Sequence, residues 1–408
     1  MGTLFIRNII IRKKQNDKKS RLQKNSGPFT AAFLSFCLFA EPVIDETFGY
    51  ALDIPEGYQL SATGNDNLSL AFNHKNLPVT LAVKIYDSEG DALSVLQTAM
   101  QKIGSKEKAS IFEWNDSLCS VANAKFTVEV SDYEGWAVCA PTTKAGYFLT
   151  LLCYAPASMA KKCEFFIIST INSLKIGDKN TEGIFTTIAY PKEGAKALSL
   201  NIGGKKVATK IDKSDLEASS FVINIEFNIL TMYANHPLKM DAWKRYYRMI
   251  ERDSKARMAG VAEDIYKALY PEAKKQNAKQ PELAYAQMLL SWVQSFEYAQ
   301  AKPSTAQNMN SGFTSLPAVL EGSGNDCDSR AMLLSALLSA KGIPCLMIFS
   351  PEYAHAMAAV KINAPGQTFK DPKSGEEYLM GETTAKVNWG TIAQDHADRK
   401  KWMTIEAD

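Results

Sequence analysis

The sequence predicts an α+β protein: an antiparallel sheet with two helices, then a helical region leading into a second unit of helix and strands. Two observations carry this. Between residues 48 and 176, short runs alternate apolar and polar residues, the period-two signature of half-buried strands. Beyond about residue 215, apolar residues recur instead at three- and four-residue steps over long stretches. With 408 residues there is room for two or three domains, and 46 % hydrophobic content suffices for packed cores.

Residues 1–40 read as a leader. They hold eight Lys or Arg against the single Asp17, followed by the uncharged run "FTAAFLSFCLFA" and Ala40 before Glu41. A basic n-region, a short apolar core and a small residue at the end form a secretory signal peptide. A retained anchor would need roughly 20 apolar residues, and Phe36 is bulky where lipid attachment at Cys37 would want a small residue. The expectation is therefore a secreted or periplasmic protein with no membrane span after leader removal. Of 46 basic and 44 acidic residues, 38 and 43 remain outside the leader, a net charge of −5. That mildly acidic body lacks the basic footprint of a nucleic-acid binder, so no nucleic-acid partner is expected.

Residues 41–176 come next. "LSLAF" and "VTLAVKI" alternate as strands, and Leu93, Leu96, Met100 and Ile103 then fall on one helix face. "AKFTVEV", "GWAVCAP" and "GYFLTLLCYAP" alternate again, and "KKCEFFIISTINSL" closes the unit as a second amphipathic helix. Cys119, Cys139, Cys153 and Cys163 cluster here. An exported protein permits bridges among them, but the sequence does not choose a pairing, and four small buried thiols fit equally well. The opening "LDIPEGYQL" and the closing "CEFFIISTINSLKI" resemble the PsbP-like α/β sandwich, a resemblance that brings no catalytic motif and supports the domain boundary.

Residues 177–196 are polar with Gly and Pro signals and read as a linker. Residues 197–408 form the final domain. It opens on a hairpin turning at "GGKK", followed by helical stretches interrupted near Pro237, and by "PELAYAQMLLSWVQSFEYA" with Pro281 and Glu282 in its first turn.

The chemistry concentrates at "GSGNDCDSRAMLLSALLSAKGIP". Cys327 stands where an acidic, glycine-bearing loop becomes an apolar helix expected over about 328–341. Unpaired N–H groups at such a terminus favour a thiolate, whereas the charges of Asp326 and Asp328 oppose it, so a base is required. Of four histidines (His74, His236, His355 and His396), His355 is best placed, opening the apolar run "HAMAAVKI" one short loop after the strand "IPCLMIFS". Glu382 ends the next apolar stretch and can orient the imidazole. Cys345 reads as core, and His396 as an exposed residue of a polar tail. Because no Cys or His cluster falls at ligand spacing, no metal or other cofactor is expected.

Residues 285–384 resemble the transglutaminase-like superfamily, on "LEGSGNDCDSRAMLLSALLSAKGIP", "EYAHAMAAV" and "YLMGETT". The resemblance implies a papain-like core in which Cys327 is the nucleophile, His355 the general base and acid, and Glu382 the orienting carboxylate. It also implies an upstream oxyanion donor, Gln294 of "WVQSFEY". Asn325 stands where many members have glycine, and Glu382 where Asp is commoner. The expected function is a cysteine hydrolase or acyltransferase acting on peptide or cell-envelope amides. The alternative is a non-catalytic envelope binding protein on the same scaffold.

Overall fold

The computed structural model describes residues 42–299 and 311–405. The expected leader over residues 1–40 lies outside the described residues. Among those described, no helix is long and apolar enough to cross a membrane. The chain divides into two compact units, one ending at Lys179 and one beginning at Asn180.

The first unit is built on strands. In chain order it contains β1 (Val43–Asp45), β2 (Tyr50–Leu52), β3 (Tyr58–Thr63), β4 (Ser69–His74), β5 (Thr80–Asp87), α1 (Ala92–Lys102) and β6 (Ser110–Trp114). There follow β7 (Ser117–Val128), β8 (Ser131–Pro141), β9 (Tyr147–Pro156), α2 (Ala157–Ala160), α3 (Glu164–Asn172) and β10 (Leu174–Ile176). Seven strands form one antiparallel sheet in the order β3-β4-β5-β9-β8-β7-β6, and β1, β2 and β10 form a small second one. Helix α1 starts on a reciprocal cap: Asp91 Oδ1 accepts from Ser94 N at 2.8 Å while Ser94 Oγ accepts from Asp91 N at 3.0 Å. Caps of this kind stabilise a helix by about 1 kcal/mol. The helix then buries Val95, Leu96 and Met100 with Ala122, Ala124 and Ala137 of the sheet. Cys119, Cys139, Cys153 and Cys163 are all buried and unbridged, so the thiols serve as packing atoms.

The second unit begins inside the expected linker, where α4 (Ile184–Ala189) buries Ile184 and Phe185. This short element escapes detection because six residues are too few to display a helical period. A hairpin follows, β11 (Ala195–Ile202) with β12 (Lys205–Asp212). Its two-residue turn puts Gly203 at φ +58° and Gly204 at φ +82°, the left-handed pair that a tight hairpin requires. Helices α5 (Asp215–Met232), α6 (Lys239–Gln276) and α7 (Pro281–Val293) then pack together. Pro237 lies in the break between the first two.

Buried ion pairs lock these helices. Arg245 Nη1 meets Glu226 Oε2 at 2.7 Å with both side chains at most 2 % exposed. Arg257 bonds Asp253 of its own helix and Asp215 of α5, at 2.8 and 2.6 Å. Removing one partner of such a pair typically costs about 3–5 kcal/mol, because the other charge stays buried.

The remaining elements are α8 (Leu316–Leu320), α9 (Cys327–Ser339), β13 (Cys345–Ser350), β14 (His355–Val360), β15 (Thr368–Lys370), β16 (Glu377–Gly381) and β17 (Met403–Thr404). The five strands make an antiparallel sheet ordered β15-β16-β14-β13-β17. Helix α9 is largely apolar and packs against α6, β13 and β14, so nearly every residue in it is buried. It is a central helix, with Cys327 at its first position.

Candidate functional site around Cys327, His355 and Glu382

Asp326 caps α9: its backbone is extended (φ −108°, ψ −172°) and its side chain accepts from Ser329 N. Cys327 follows as the first helical residue and is 7 % exposed. Its Sγ donates to Asp328 Oδ1 at 3.4 Å. The thiol is pushed well above the ordinary cysteine range, chiefly by burial and then by the Asp328 charge, while the N–H of Ala356 partly offsets this. That amide places the sulfur beside the first residues of β14.

His355 stands at the start of β14, opposite Ser350 of β13 across a four-residue hairpin loop. The chain enters the strand through Ala354 at φ +47°, a left-handed conformation uncommon for a residue with a Cβ. His355 Nε2 pairs with Glu382 Oε2 at 2.9 Å, the two side chains being 11 % and 7 % exposed. Strand β16 runs antiparallel to β14 with Gly381 opposite Ala358, and this register brings residue 382 beside the ring. Thr384 fixes the other carboxylate oxygen, its N and Oγ1 donating to Oε1 at 2.7 and 2.6 Å. These bonds, His355 foremost among them, outweigh burial and hold the Glu382 carboxyl down to about 2. Gly381 is required by packing: a Cβ there would lie 2.3 Å from the Trp389 ring, which covers this end of the strand.

His355 and Glu382 are thus in direct contact. Cys327 makes no hydrogen bond to His355; its thiol proton goes to Asp328. Asp328 in turn accepts from Tyr247 Oη, and its carboxyl is raised by burial. Asp326 is pushed up to about 6 by burial and by the neighbouring Asp328 charge.

Gln294 sits where its amide cannot serve an oxyanion. Nε2 donates to Glu382 O at 2.8 Å and to Val387 O at 2.9 Å, which occupies both of its hydrogens. In this geometry it fastens the segment that carries Glu382. The physical reason is topological, since the end of α7 abuts the loop after β16.

Three contributors escape sequence reasoning. Arg330 is 1 % exposed, and its guanidinium bonds Asn325 Oδ1 at 2.6 Å, Thr383 O at 3.1 Å and Phe296 O at 2.9 Å. It has no carboxylate partner among the described residues and lies 5.3 Å from the Tyr298 ring centre. This one side chain ties the loop before Cys327 to the segment holding Glu382. An arginine inside an otherwise apolar helix was the available signal, because a buried guanidinium demands several acceptors. Tyr247 is the second. The third is His396, which is half-buried rather than exposed. Its ring centre lies 5.3 Å from that of His355, and one ligating atom from each of His355, Glu382 and His396 falls within 4.8 Å of the others. The absence of a linear ligand motif therefore concealed a group that the fold assembles.

No protein-family model matches this sequence. No curated protein matches it either. Among solved structures, the chain is similar to cyanobacterial PsbP (CyanoP) from Synechocystis sp. PCC 6803, at 13 % identity and TM-score 0.27, over 37 % of this chain and 99 % of that one. It is also similar to a crystal structure from Bacteroides thetaiotaomicron VPI-5482, at 11 % identity and TM-score 0.25, over 54 % of this chain and 78 % of that one. Likenesses at this level carry no argument about activity.

Proposed function

We propose that this protein is an exported cysteine hydrolase or acyltransferase, transglutaminase-like in its second unit, acting on amides of peptide or cell-envelope substrates. The observation that supports it best is the His355–Glu382 contact at 2.9 Å, with the next residue's amide directed at Cys327 Sγ. With Nε2 on the carboxylate, the imidazole keeps Nδ1 free to take a thiol proton, the arrangement a Cys-His-carboxylate relay needs.

In the proposed step the thiolate attacks the amide carbonyl carbon. The new S–C bond gives a tetrahedral intermediate, and the imidazolium hands its proton to the leaving amine as the C–N bond breaks. Water or a second amine then attacks the thioester and releases Cys327. Hydrolysis, deamidation and transamidation share this first half. A rotation of Cys327 from Asp328 toward the ring is the movement the reading requires.

One observation favours a second reading, a non-catalytic envelope binding protein. The thiol is held protonated by burial and by Asp328, and its hydrogen bond goes to that carboxylate. Alkylation separates the two. Iodoacetamide labelling of Cys327 is followed across pH in the wild type, His355→Ala and Glu382→Gln, with Cys327→Ala as blank. The catalytic reading expects labelling at neutral pH that falls about tenfold or more without His355. Labelling that sets in only at alkaline pH, and ignores His355, leaves the binding reading.

A further inference from the structure

We propose that His355, Glu382 and His396 form a binding site for a divalent transition ion of the zinc class. The three ligating atoms converge within 4.8 Å although residue 396 lies in a separate 3-10 turn, Gln394–His396, after the last long strand. His355 Nε2 and Glu382 Oε2 are already 2.9 Å apart. Two ligands of a tetrahedral zinc ion at ordinary bond lengths stand about 3.3 Å apart, so a small opening of this pair admits the ion.

A second observation points the same way. Among the described residues, His396 Nδ1 is buried and has no hydrogen-bond partner, which is costly for an imidazole nitrogen unless a ligand fills the place. The turn that carries it is pinned, Trp402 Nε1 donating to His396 O at 2.9 Å, while the Tyr353 ring packs 4.8 Å from the imidazole. Glu382 is equally well held through the two Thr384 bonds to its other oxygen, the outer support that metal-binding carboxylates use. Two imidazoles with one carboxylate suit zinc, cobalt or copper rather than calcium or magnesium, which prefer all-oxygen sites. Three protein ligands also leave a fourth position for water.

The ion and the His355–Glu382 hydrogen bond are mutually exclusive, because both use the same facing atoms. Any effect of the metal on Cys327 reactivity rests on the catalytic reading above; binding itself does not. Occupancy would hold the imidazole away from proton transfer and leave the thiol protonated.

The test is a zinc titration of the purified full chain against a chromophoric chelator, for wild type, Cys327→Ser, His396→Gln and Glu382→Gln. The expected result is one zinc per chain, retained in Cys327→Ser and weakened at least about tenfold in the other two. Cobalt in the wild-type protein should give visible d–d bands with no thiolate-to-metal charge transfer in the near ultraviolet. This reading survives even if a ligand variant fails to fold. Absence of stoichiometric zinc, binding indifferent to His396→Gln in a folded variant, or a cobalt–thiolate band lost in Cys327→Ser would each overturn the proposal. Alkylation that ignores His355 sinks the catalytic reading while leaving the zinc titration to stand by itself.

Discussion

Arg330 Nε donates to Asn325 Oδ1 across 2.6 Å, joining the first turn of α9 to the loop that precedes Cys327. The same guanidinium reaches Thr383 O and Phe296 O, so one buried cation sets the spacing between the thiol and the segment of Glu382. Substituting Arg330→Met removes the guanidinium donor from Asn325 Oδ1, Thr383 O and Phe296 O. The expected loss of stability is about 2–4 kcal/mol in chemical denaturation. Arg330→Lys should recover less than half of it, since an ammonium cannot span three acceptors in a plane. Equal stability of all three proteins would show that the clamp is dispensable.

Asp328 holds the Cys327 proton. Replacing it with Asn removes the charge that opposes ionisation while keeping an acceptor near Tyr247. Alkylation of Cys327 at neutral pH should accelerate about tenfold, equivalent to roughly one unit of thiol acidity. An unchanged rate would mean that burial alone governs the thiol.

Asp326 and Glu382 give stability opposite pH dependences. The native carboxyl of Asp326 titrates at about 6, above its unfolded value. Between about 4 and 6 the native state therefore binds more protons than the unfolded state, and this residue's contribution to stability falls as pH rises. Asp326→Asn retains a capping side chain, so it should raise stability at pH 7, by at most about 3 kcal/mol, and flatten the profile in that window. Glu382 is depressed to about 2, so its contribution is complete above the unfolded carboxylate range and fades as pH falls toward 2. Glu382→Gln should cost stability at pH 7 and progressively less in acid. Denaturation midpoints from pH 3 to pH 8 measure both effects.

Gln294 distinguishes support from oxyanion binding. Its two N–H groups already serve Glu382 O and Val387 O. Gln294→Ala should therefore lower stability by about 1–3 kcal/mol and raise hydrogen exchange in the segment around residues 382–388. A variant with wild-type stability and exchange would show that these two bonds do not support the segment.

The first unit offers a plain check on its thiols. Because Cys119, Cys139, Cys153 and Cys163 are buried and unbridged, a reducing agent should leave its melting transition unchanged. A shift downward of several degrees on reduction would indicate a bridge.

Much of this molecule is written in local pattern. Alternation in "LSLAF" and "VTLAVKI" and the glycine pair of "GGKK" reappear in β4, β5 and the turn of β11–β12, because such signals depend only on neighbouring residues. The same holds for the apolar helix that begins at Cys327 and for the strand that begins at His355. Chain order alone thus placed a thiol, an imidazole and a carboxylate each at the end of an apolar element. Tertiary structure decided which side chains meet. Residues 294, 330, 355, 382 and 396 become neighbours only where α7, α9, β14, β16 and a late turn converge, and no periodicity encodes those crossings. Hence the buried arginine clamp, the committed amide of Gln294 and the His396 ring beside His355 emerge from packing. Each follows from one requirement, that polar groups removed from water find partners within reach.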